Sequence, residues 1–208
     1  MIKKQVNLIG PVNSLSYGIV TLNIAESLSE QVDVSLFPIN EFNIDCPPAK
    51  VQIVTKCINN TKNYNSKAPS IRIWHQHNLA SHVGSPRIGF PIFELDRFSD
   101  MERHHIENVD ALFVCSHWAK DVVLNTTSQK NVYVVPLGVD RRIFTPSKIT
   151  NGPTSFLISG KWEIRKAHDK IAKALYKFKD RNIKVILACD NVFSSPDENN
   201  AWVNMFSF

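Results

Sequence analysis

A basic segment in the second half of the chain carries residue types that bind anions. Lys161, Arg165 and Lys166 lie between an apolar run that starts at Phe156 and a stretch with helical spacing of apolar residues, Ile171, Ala174, Leu175 and Phe178. Cations on a strand-to-helix turn, beside the free N–H groups of a helix N-terminus, can hold an anion such as a diphosphate. A solvated basic loop without a ligand explains the same charges.

Two histidines form a second group that could bind a ligand or take part in a reaction. If the apolar alternation of Ile71 and Ile73 continues as a strand, His75 and His77 project from the same side of its end. Such imidazoles can hydrogen-bond a polar ligand or exchange a proton during a reaction. A zinc site with His82 as third ligand is an alternative, although no carboxylate or thiolate lies at a useful spacing. A structural, hydrogen-bonded histidine pair is another.

The third candidate is a glycine-containing loop. The apolar run at 6–9 predicts a strand that ends at Gly10, and the loop up to Gly18 then leads into a helix. Open α/β sheets bind ligands at this edge, and glycine lets backbone N–H groups approach a ligand closely. A tight turn without a ligand fits equally well.

Glu94, in an aromatic-rich segment at 90–98, is an additional polar candidate.

The order of these patterns predicts an α/β fold with a parallel sheet. Strand-like and helix-like stretches alternate from the first residues onward, which is the pattern of βαβ units. Ser116 is predicted to cap a helix that runs to Asn125. The predicted strands are 6–9, 32–36, 51–54, 71–77, 87–91, 111–115, 132–135, one beginning at 156, and 184–188.

Composition excludes several classes of protein. The chain has 208 residues, is 43% hydrophobic and carries a net charge of +5. This charge is too dilute for a dedicated nucleic-acid binder, but it suits an anionic ligand or peripheral contact with an acidic membrane surface. Scattered cysteines without a C-x-x-C pair indicate a reducing compartment. With no apolar run long enough for a signal peptide or a membrane span, we expect a cytoplasmic protein.

Several motifs together resemble one large enzyme group. They are the glycine loop after the first strand, H-x-H after a middle strand, V-C-S-H-W before a helix, V-P-L-G-V-D before a linker, and G-K-W-E-I-R-K. In this order they resemble the GT-B glycosyltransferases of the retaining family 4 group. The resemblance implies two Rossmann-like domains, of which the first binds the acceptor and the second binds the nucleotide-sugar donor.

The resemblance also implies roles for individual residues. Lys161 and Lys166 match the pair that holds the donor diphosphate, with Arg165 between them. His77 or His75 matches the histidine near the acceptor and the anomeric centre. The loop with Gly10 and Gly18 matches the one that approaches the acceptor or the donor phosphates. Such enzymes generally need no metal and no cofactor, since the nucleotide sugar is a co-substrate. Ala167 departs from the glycine that commonly follows the lysine.

The implied domains are a Rossmann-like acceptor-side domain at 1–145, a linker at 146–153 and the first βαβ of a donor-binding domain at 154–208. The donor domain of the family is about as long as its acceptor domain, so we expect the donor domain to be incomplete here. A complementing C-terminal donor domain is then an expected partner. We therefore also expect the last residues, through Trp202, Phe206 and Phe208, to pack poorly.

Two functions follow from these expectations. One is a glycosyltransferase that moves a sugar to a glycan, a lipid-linked acceptor or another hydroxyl acceptor. The alternative is a truncated, non-catalytic module of the same fold that binds an acceptor or a nucleotide. A redox Rossmann protein is disfavoured, because the chain has no G-x-G-x-x-G followed by an acidic residue about 20 positions later.

Overall fold

The computed structural model describes residues 4–39, 46–146 and 152–207. The chain divides into two compact units, Met1–Asp140 and Arg141–Phe208. None of the helices in the described ranges combines the length and the hydropathy that a membrane crossing requires. The predicted linker at 146–153 lies mostly outside these ranges.

The first unit is a six-stranded sheet flanked by helices, and every strand pairs in parallel with its neighbours. This confirms the predicted α/β, Rossmann-like class. The strands are β1 (Gln5–Gly10), β2 (Asp33–Pro38), β3 (Ser70–Arg72), β4 (Arg87–Gly89), β5 (Ala111–Val114) and β6 (Val132–Val134). The helices are α1 (Ser16–Ser29), α2 (Pro48–Asn59), α3 (Asp100–Glu107) and α4 (His117–Thr126).

The order of the strands in this sheet is β2-β1-β3-β4-β5-β6. Strand β1 therefore lies between β2 and β3, with Asn7 opposite Ser35 on one side and Ser70 on the other. The chain goes to one side of β1 first and then crosses to the other. This reversal makes a topological switch point at the carboxyl ends of β1 and β3, which is where open α/β sheets bind ligands.

The core explains why these segments form the sheet. Short runs of apolar residues in β1 and β2 are buried, as expected for a parallel sheet that is covered on both faces. Side chains from α1, α2 and the segment after β3 complete one buried cluster, of Leu8, Val12, Leu22, Ala25, Val34, Leu36, Val54, Cys57, Ile73 and Phe90. A second cluster surrounds Leu112 in β5 and includes Ile106 of α3 and Val123 of α4.

Local capping fixes where two helices begin. The Ser116 hydroxyl accepts a hydrogen bond from the Ala119 amide at 3.1 Å, which confirms its predicted role as the cap of α4. Helix α3 starts with a reciprocal capping box, in which Ser99 and Glu102 each bond the backbone of the other.

The predicted strand at 51–54 is wrong, because these residues belong to α2. Val54 and Cys57 are the buried positions of this helix, and their spacing of three residues is helical. Pro48 occupies its first turn, where the absence of an N–H costs nothing. The short apolar run was compatible with either structure, and packing against α1 and β2 favours the helix.

The second unit contains the predicted βαβ arrangement. Strands β7 (Thr154–Lys161) and β8 (Ile183–Asp190) pair in parallel over their whole length. Between them lie a 3₁₀ turn at Ile164–Lys166 and helix α5 (His168–Tyr176). Helix α6 (Pro196–Asn204) follows, and a second Ser–Glu capping box, formed by Ser195 and Glu198, starts it.

The end of the chain is more specifically packed than the sequence predicted. Trp202 stacks parallel to Trp162 with ring centroids 6.0 Å apart, and Phe206 lies 6.1 Å from the same indole. Trp162 is only 2% exposed. Trp202 and Phe206 thus contact a buried indole, but no residue of α6 is itself buried, so the expectation of poor packing is met only in part. Phe208 lies outside the described residues.

Candidate functional site

The switch point in the first unit brings together two of the predicted sites. The loop with Gly10 and Gly18 follows β1, the segment with His75 and His77 follows β3, and the two strands are direct neighbours. The ring of Tyr17, at the start of α1, contacts His75 with centroids 4.7 Å apart. Two segments more than 50 residues apart in sequence thus meet at the edge where open α/β sheets bind ligands.

Tyr17 connects three loops at this edge, and the sequence analysis missed that role. Its ring also lies 5.5 Å from the Trp74 ring. Its hydroxyl donates to the Ile92 carbonyl oxygen at 2.8 Å and accepts from the Ile92 amide at 3.0 Å. Burial raises the pKa of Tyr17 to about 12, so the hydroxyl is protonated at neutral pH. Tyr17 reads as a helical core position in the sequence, and only its place beside Gly18 could have pointed to the site.

His75 and His77 form a stacked pair, but not by strand alternation. Strand β3 ends at Arg72, so the expectation of a strand that persists to His77 is wrong. The two imidazoles are nearly parallel, 11° apart, with centroids separated by 5.4 Å. Burial, together with the neighbouring His77, lowers the pKa of His75. A neutral imidazole at physiological pH can accept a proton from a hydroxyl group, which is the requirement for a general base.

Buried Arg72 shapes the loop that carries the histidines, a role that no local sequence pattern indicates. Its guanidinium donates to the Asn78 carbonyl at 2.7 Å, to the Asn78 side-chain oxygen at 3.1 Å and to the Ser81 carbonyl at 3.3 Å. The residue is 5% exposed. A planar guanidinium that bonds several groups of one loop holds that loop in a single shape.

Two more histidines lie near Arg72 and are not part of the pair. The Nδ1 atom of His82 is 3.1 Å from the hydroxyl of Ser70, the first residue of β3, so His82 forms a hydrogen bond with that strand. The Nε2 of His82 and the Nδ1 of His105 are buried, and neither has a hydrogen-bond partner among the residues that the structure describes. Burial lowers the pKa of both imidazoles. Among the described residues, no group of three or more His, Cys, Asp and Glu side chains gathers closely enough to hold a metal ion.

The two glycines of the first loop are required by packing within the protein. A Cβ on Gly10 would lie 2.4 Å from the Thr21 hydroxyl, and a Cβ on Gly18 would lie 2.1 Å from the Asn13 carbonyl oxygen. Glycine therefore allows α1 to approach β1 and its loop closely. The contact of either glycine with a ligand stays a prediction. Glu94 is exposed in the segment between β4 and α3.

In the second unit, the three predicted cations lie on the turn between β7 and α5, as expected. Lys161 ends β7, and Arg165 and Lys166 lie in the 3₁₀ turn. Gly160, at φ +141° inside β7, takes a backbone conformation that favours glycine and directs the chain into this turn. Helix α5 has no side-chain cap at its N-terminus. Uncapped N–H groups beside three cations are chemically suited to an anion.

Two of these cations already have an internal anionic partner. The Lys161 ammonium lies 3.0 Å from one Glu163 carboxylate oxygen, and Arg165 Nε lies 3.0 Å from the other. The hydrogen bond from Lys161 holds the pKa of Glu163 below its ordinary value. Lys166 is exposed and makes no ion pair with a described residue. Glu163 lies between the cations in the sequence, but only the folded turn shows that it pairs with two of them.

Aromatic packing closes the base of the basic turn. Trp162 precedes the turn and His168 follows it, and their rings are 4.7 Å apart in an edge-on contact. His168 is 1% exposed, and its Nε2 lies 3.7 Å from the Cys189 sulfur of β8. The turn at 163–167 therefore starts and ends on one buried contact, which limits the positions that its side chains can take.

A cavity of about 350 Å³ lies along β7 and α5, and Lys166 is the charged residue in its wall. Its other lining residues are mainly apolar: Phe156, Leu157, Ile158, Ser159, His168, Ile171 and Leu175. Such walls suit hydrocarbon better than phosphate. An anion therefore fits the turn itself better than this cavity.

Comparison with known proteins adds nothing to these assignments, because no protein-family model and no curated protein matches the chain.

Replacing Gly18 with alanine is expected to destabilise the first unit by about 1–3 kcal/mol, because the new methyl group would overlap a backbone oxygen. Gly138→Ala is the matched control, since a Cβ there meets nothing within 4 Å. Its free energy of unfolding should stay within about 0.5 kcal/mol of the wild-type value. Urea unfolding measures both. Equal effects of the two changes would contradict the packing role of Gly18.

Acid is expected to weaken the first unit before its carboxylates titrate. The folded-state pKa values of His75, His82 and His105 are lowered, so these groups contribute their full stability above the unfolded histidine pKa of about 6.5. This contribution is lost as the pH falls from about 6.5 toward the folded pKa values. Urea unfolding at pH 7 and pH 5.5 measures the loss, which should shrink in His82→Asn. It should not shrink in the control His117→Gln, at an exposed position of α4. Stability that is unchanged between these pH values would refute this account.

Replacing Ala167 with glycine is expected to stabilise the protein. It has φ +57° and ψ +31°, the left-handed conformation that costs an L-residue about 1–2 kcal/mol. After the extra unfolded-state entropy of glycine is subtracted, Ala167→Gly should raise the free energy of unfolding by about 0.5–1 kcal/mol. Ala172→Gly, inside α5, should lower it by about 1 kcal/mol or more. Thermal melting of both variants tests the difference in sign.

Proposed function

We propose that the chain is a glycosyltransferase that moves a sugar from a nucleotide-sugar donor to a hydroxyl acceptor. The observation that carries the proposal is the meeting of the glycine loop and the histidine segment at the β1–β3 switch point, through the contact of Tyr17 with His75. Both segments belong to the motif series that resembles the GT-B enzymes. The packing brings two members of that series to one edge.

In this proposal the first unit binds the acceptor. His77 is exposed and stacks on His75, whose lowered pKa favours the neutral form. One of the two imidazoles would accept a hydrogen bond, and then a proton, from the attacking hydroxyl group. Arg72 and Tyr17 would keep the histidine loop in place, since their hydrogen bonds end on backbone groups of the surrounding loops.

The second unit would bind the leaving nucleoside diphosphate. Transfer of the sugar breaks the bond between its anomeric carbon and the phosphate oxygen, and the diphosphate then carries the additional negative charge. Lys161, Arg165, Lys166 and the uncapped N-terminus of α5 offer positive charge and N–H donors in fixed positions. This arrangement can stabilise the leaving group without a resident metal or cofactor.

A binding module without turnover is the second candidate, and Glu163 favours it. Its carboxylate already neutralises two of the three cations, which weakens the positive field that a diphosphate would meet. Such a module would recognise a glycan, a lipid-linked acceptor or a nucleotide. For either function, a complementing donor domain, contact with a membrane surface and a cytoplasmic location belong to the proposal.

Thermal melting with UDP, GDP and ADP at millimolar concentration tests the proposal. A ligand at about 100 times its dissociation constant adds about 2.7 kcal/mol to the stability of the form that binds it. We expect one nucleotide to raise the melting temperature, and Lys166→Ala to remove that rise. Lys173→Ala, which removes the same charge from an exposed position of α5, should retain it.

Turnover separates the two candidates. Release of the nucleoside diphosphate from the matching nucleotide sugar, abolished by mutation of His75 and His77 together, indicates an enzyme. Binding without any release indicates the module. If none of the three nucleotides changes the melting temperature, the proposed site for a nucleoside diphosphate, and with it the proposed function, is wrong.

A further inference from the structure

The carboxylate of Glu163 lies where two cations of the basic turn converge. Its two oxygens are divided between them, one 3.0 Å from the Lys161 ammonium and the other 3.0 Å from Arg165 Nε. About a quarter of the Glu163 side chain is exposed, compared with 40% for Lys161 and 53% for Arg165. The carboxylate is thus less exposed than the cations on either side of it.

The local backbone explains this position. Glu163 has an extended conformation, with φ −151° and ψ +147°, and continues from strand β7, so Lys161 can share its side of the chain, whereas Arg165 approaches the carboxylate from the 3₁₀ turn at Ile164–Lys166. Lys161 lies two positions before it and Arg165 two positions after it. The Glu163 carbonyl also accepts from the Lys166 amide at 3.0 Å, which closes the turn around the carboxylate.

The contacts at the base of the turn make this arrangement durable. Trp162, directly before Glu163, is buried against His168 and against the parallel ring of Trp202. Lys161 has a second contact as well, because its ammonium lies 4.7 Å from the centre of the Phe193 ring. The residue before Glu163 is therefore fixed by packing, and the lysine that pairs with its carboxylate is held by a ring contact.

We propose that Glu163 is an internal competitor for the diphosphate, an inference that rests on the proposed function of the basic turn. Its carboxylate holds Lys161 and Arg165 in place when no ligand is bound, and an incoming diphosphate must displace it from both. Lys166, which has no ion-pair partner among the described residues, makes the first contact with the ligand. Glu163 thereby sets the minimum charge that a ligand needs in order to bind.

This competition has a measurable consequence for affinity. When only the fraction of molecules with a released carboxylate can bind, the apparent dissociation constant is the intrinsic one divided by that fraction. Removal of the negative charge should therefore tighten binding of every diphosphate by a similar factor. The factor should fall with ionic strength, because all the groups involved are partly exposed.

Titration calorimetry of the full chain with inorganic pyrophosphate, and with the nucleotide that gives the largest melting shift, tests the inference. Glu163→Gln keeps the size and the hydrogen-bonding oxygen but removes the charge. We expect about five-fold tighter binding at 50 mM salt and less than about two-fold at 0.5 M salt. Asp180→Asn is the control, since it removes the same charge from an exposed position between α5 and β8 and should change nothing.

Each outcome decides between defined alternatives. If Glu163→Gln binds pyrophosphate no better than the wild type, or more weakly, Glu163 is not a competitor and the inference is wrong. If neither protein binds pyrophosphate, both this inference and the cationic part of the proposed function fail. If the variant binds pyrophosphate more tightly but no nucleotide changes the melting temperature, the inference stands and the proposed function fails. An unchanged melting temperature of the variant shows that its fold is intact.

Discussion

The parallel pairing of β1 with β2 on one side and β3 on the other is the constraint on which the first unit depends. It pairs both edges of β1 and creates the switch point at its carboxyl end. Helix α1 can follow so closely only because Gly10 leaves room for Thr21 and Gly18 leaves room for Asn13. With this helix in place, Tyr17 reaches His75 and Ile92 and closes the edge around the histidines.

In the second unit, aromatic packing and one carboxylate hold the charged side chains in place. Its basic turn begins and ends on the buried contact between Trp162 and His168, and Trp202 of α6 covers that contact. The cations are therefore held by aromatic packing beneath them and by one carboxylate among them. In the proposed reaction, this turn would keep its shape while an external anion replaces an internal one.

Agreement between sequence and structure was best where the signals were local. The strand patterns in β1, β5 and β7 were identified, as was the Ser116 cap, because alternation and capping depend on residues a few positions apart. The prediction of a strand at 51–54 was wrong for the same reason, since a run of four residues with three apolar ones fits a strand and a helix equally well. His75 and His77 were expected to be neighbours, but a loop held by Arg72 brings them together, not a strand.

The sequence by itself determined the α/β class, most of the elements and the chemical types at each candidate site, because these follow from short-range periodicity and from composition. The tertiary structure decided which sites meet. Asn7 pairs with Ser70 across the sheet, and no local pattern predicts that partner. It also decided that Tyr17 connects three loops and that Glu163 neutralises two of the cations. These are contacts between side chains, and their free energy depends on where the packed backbone places each group.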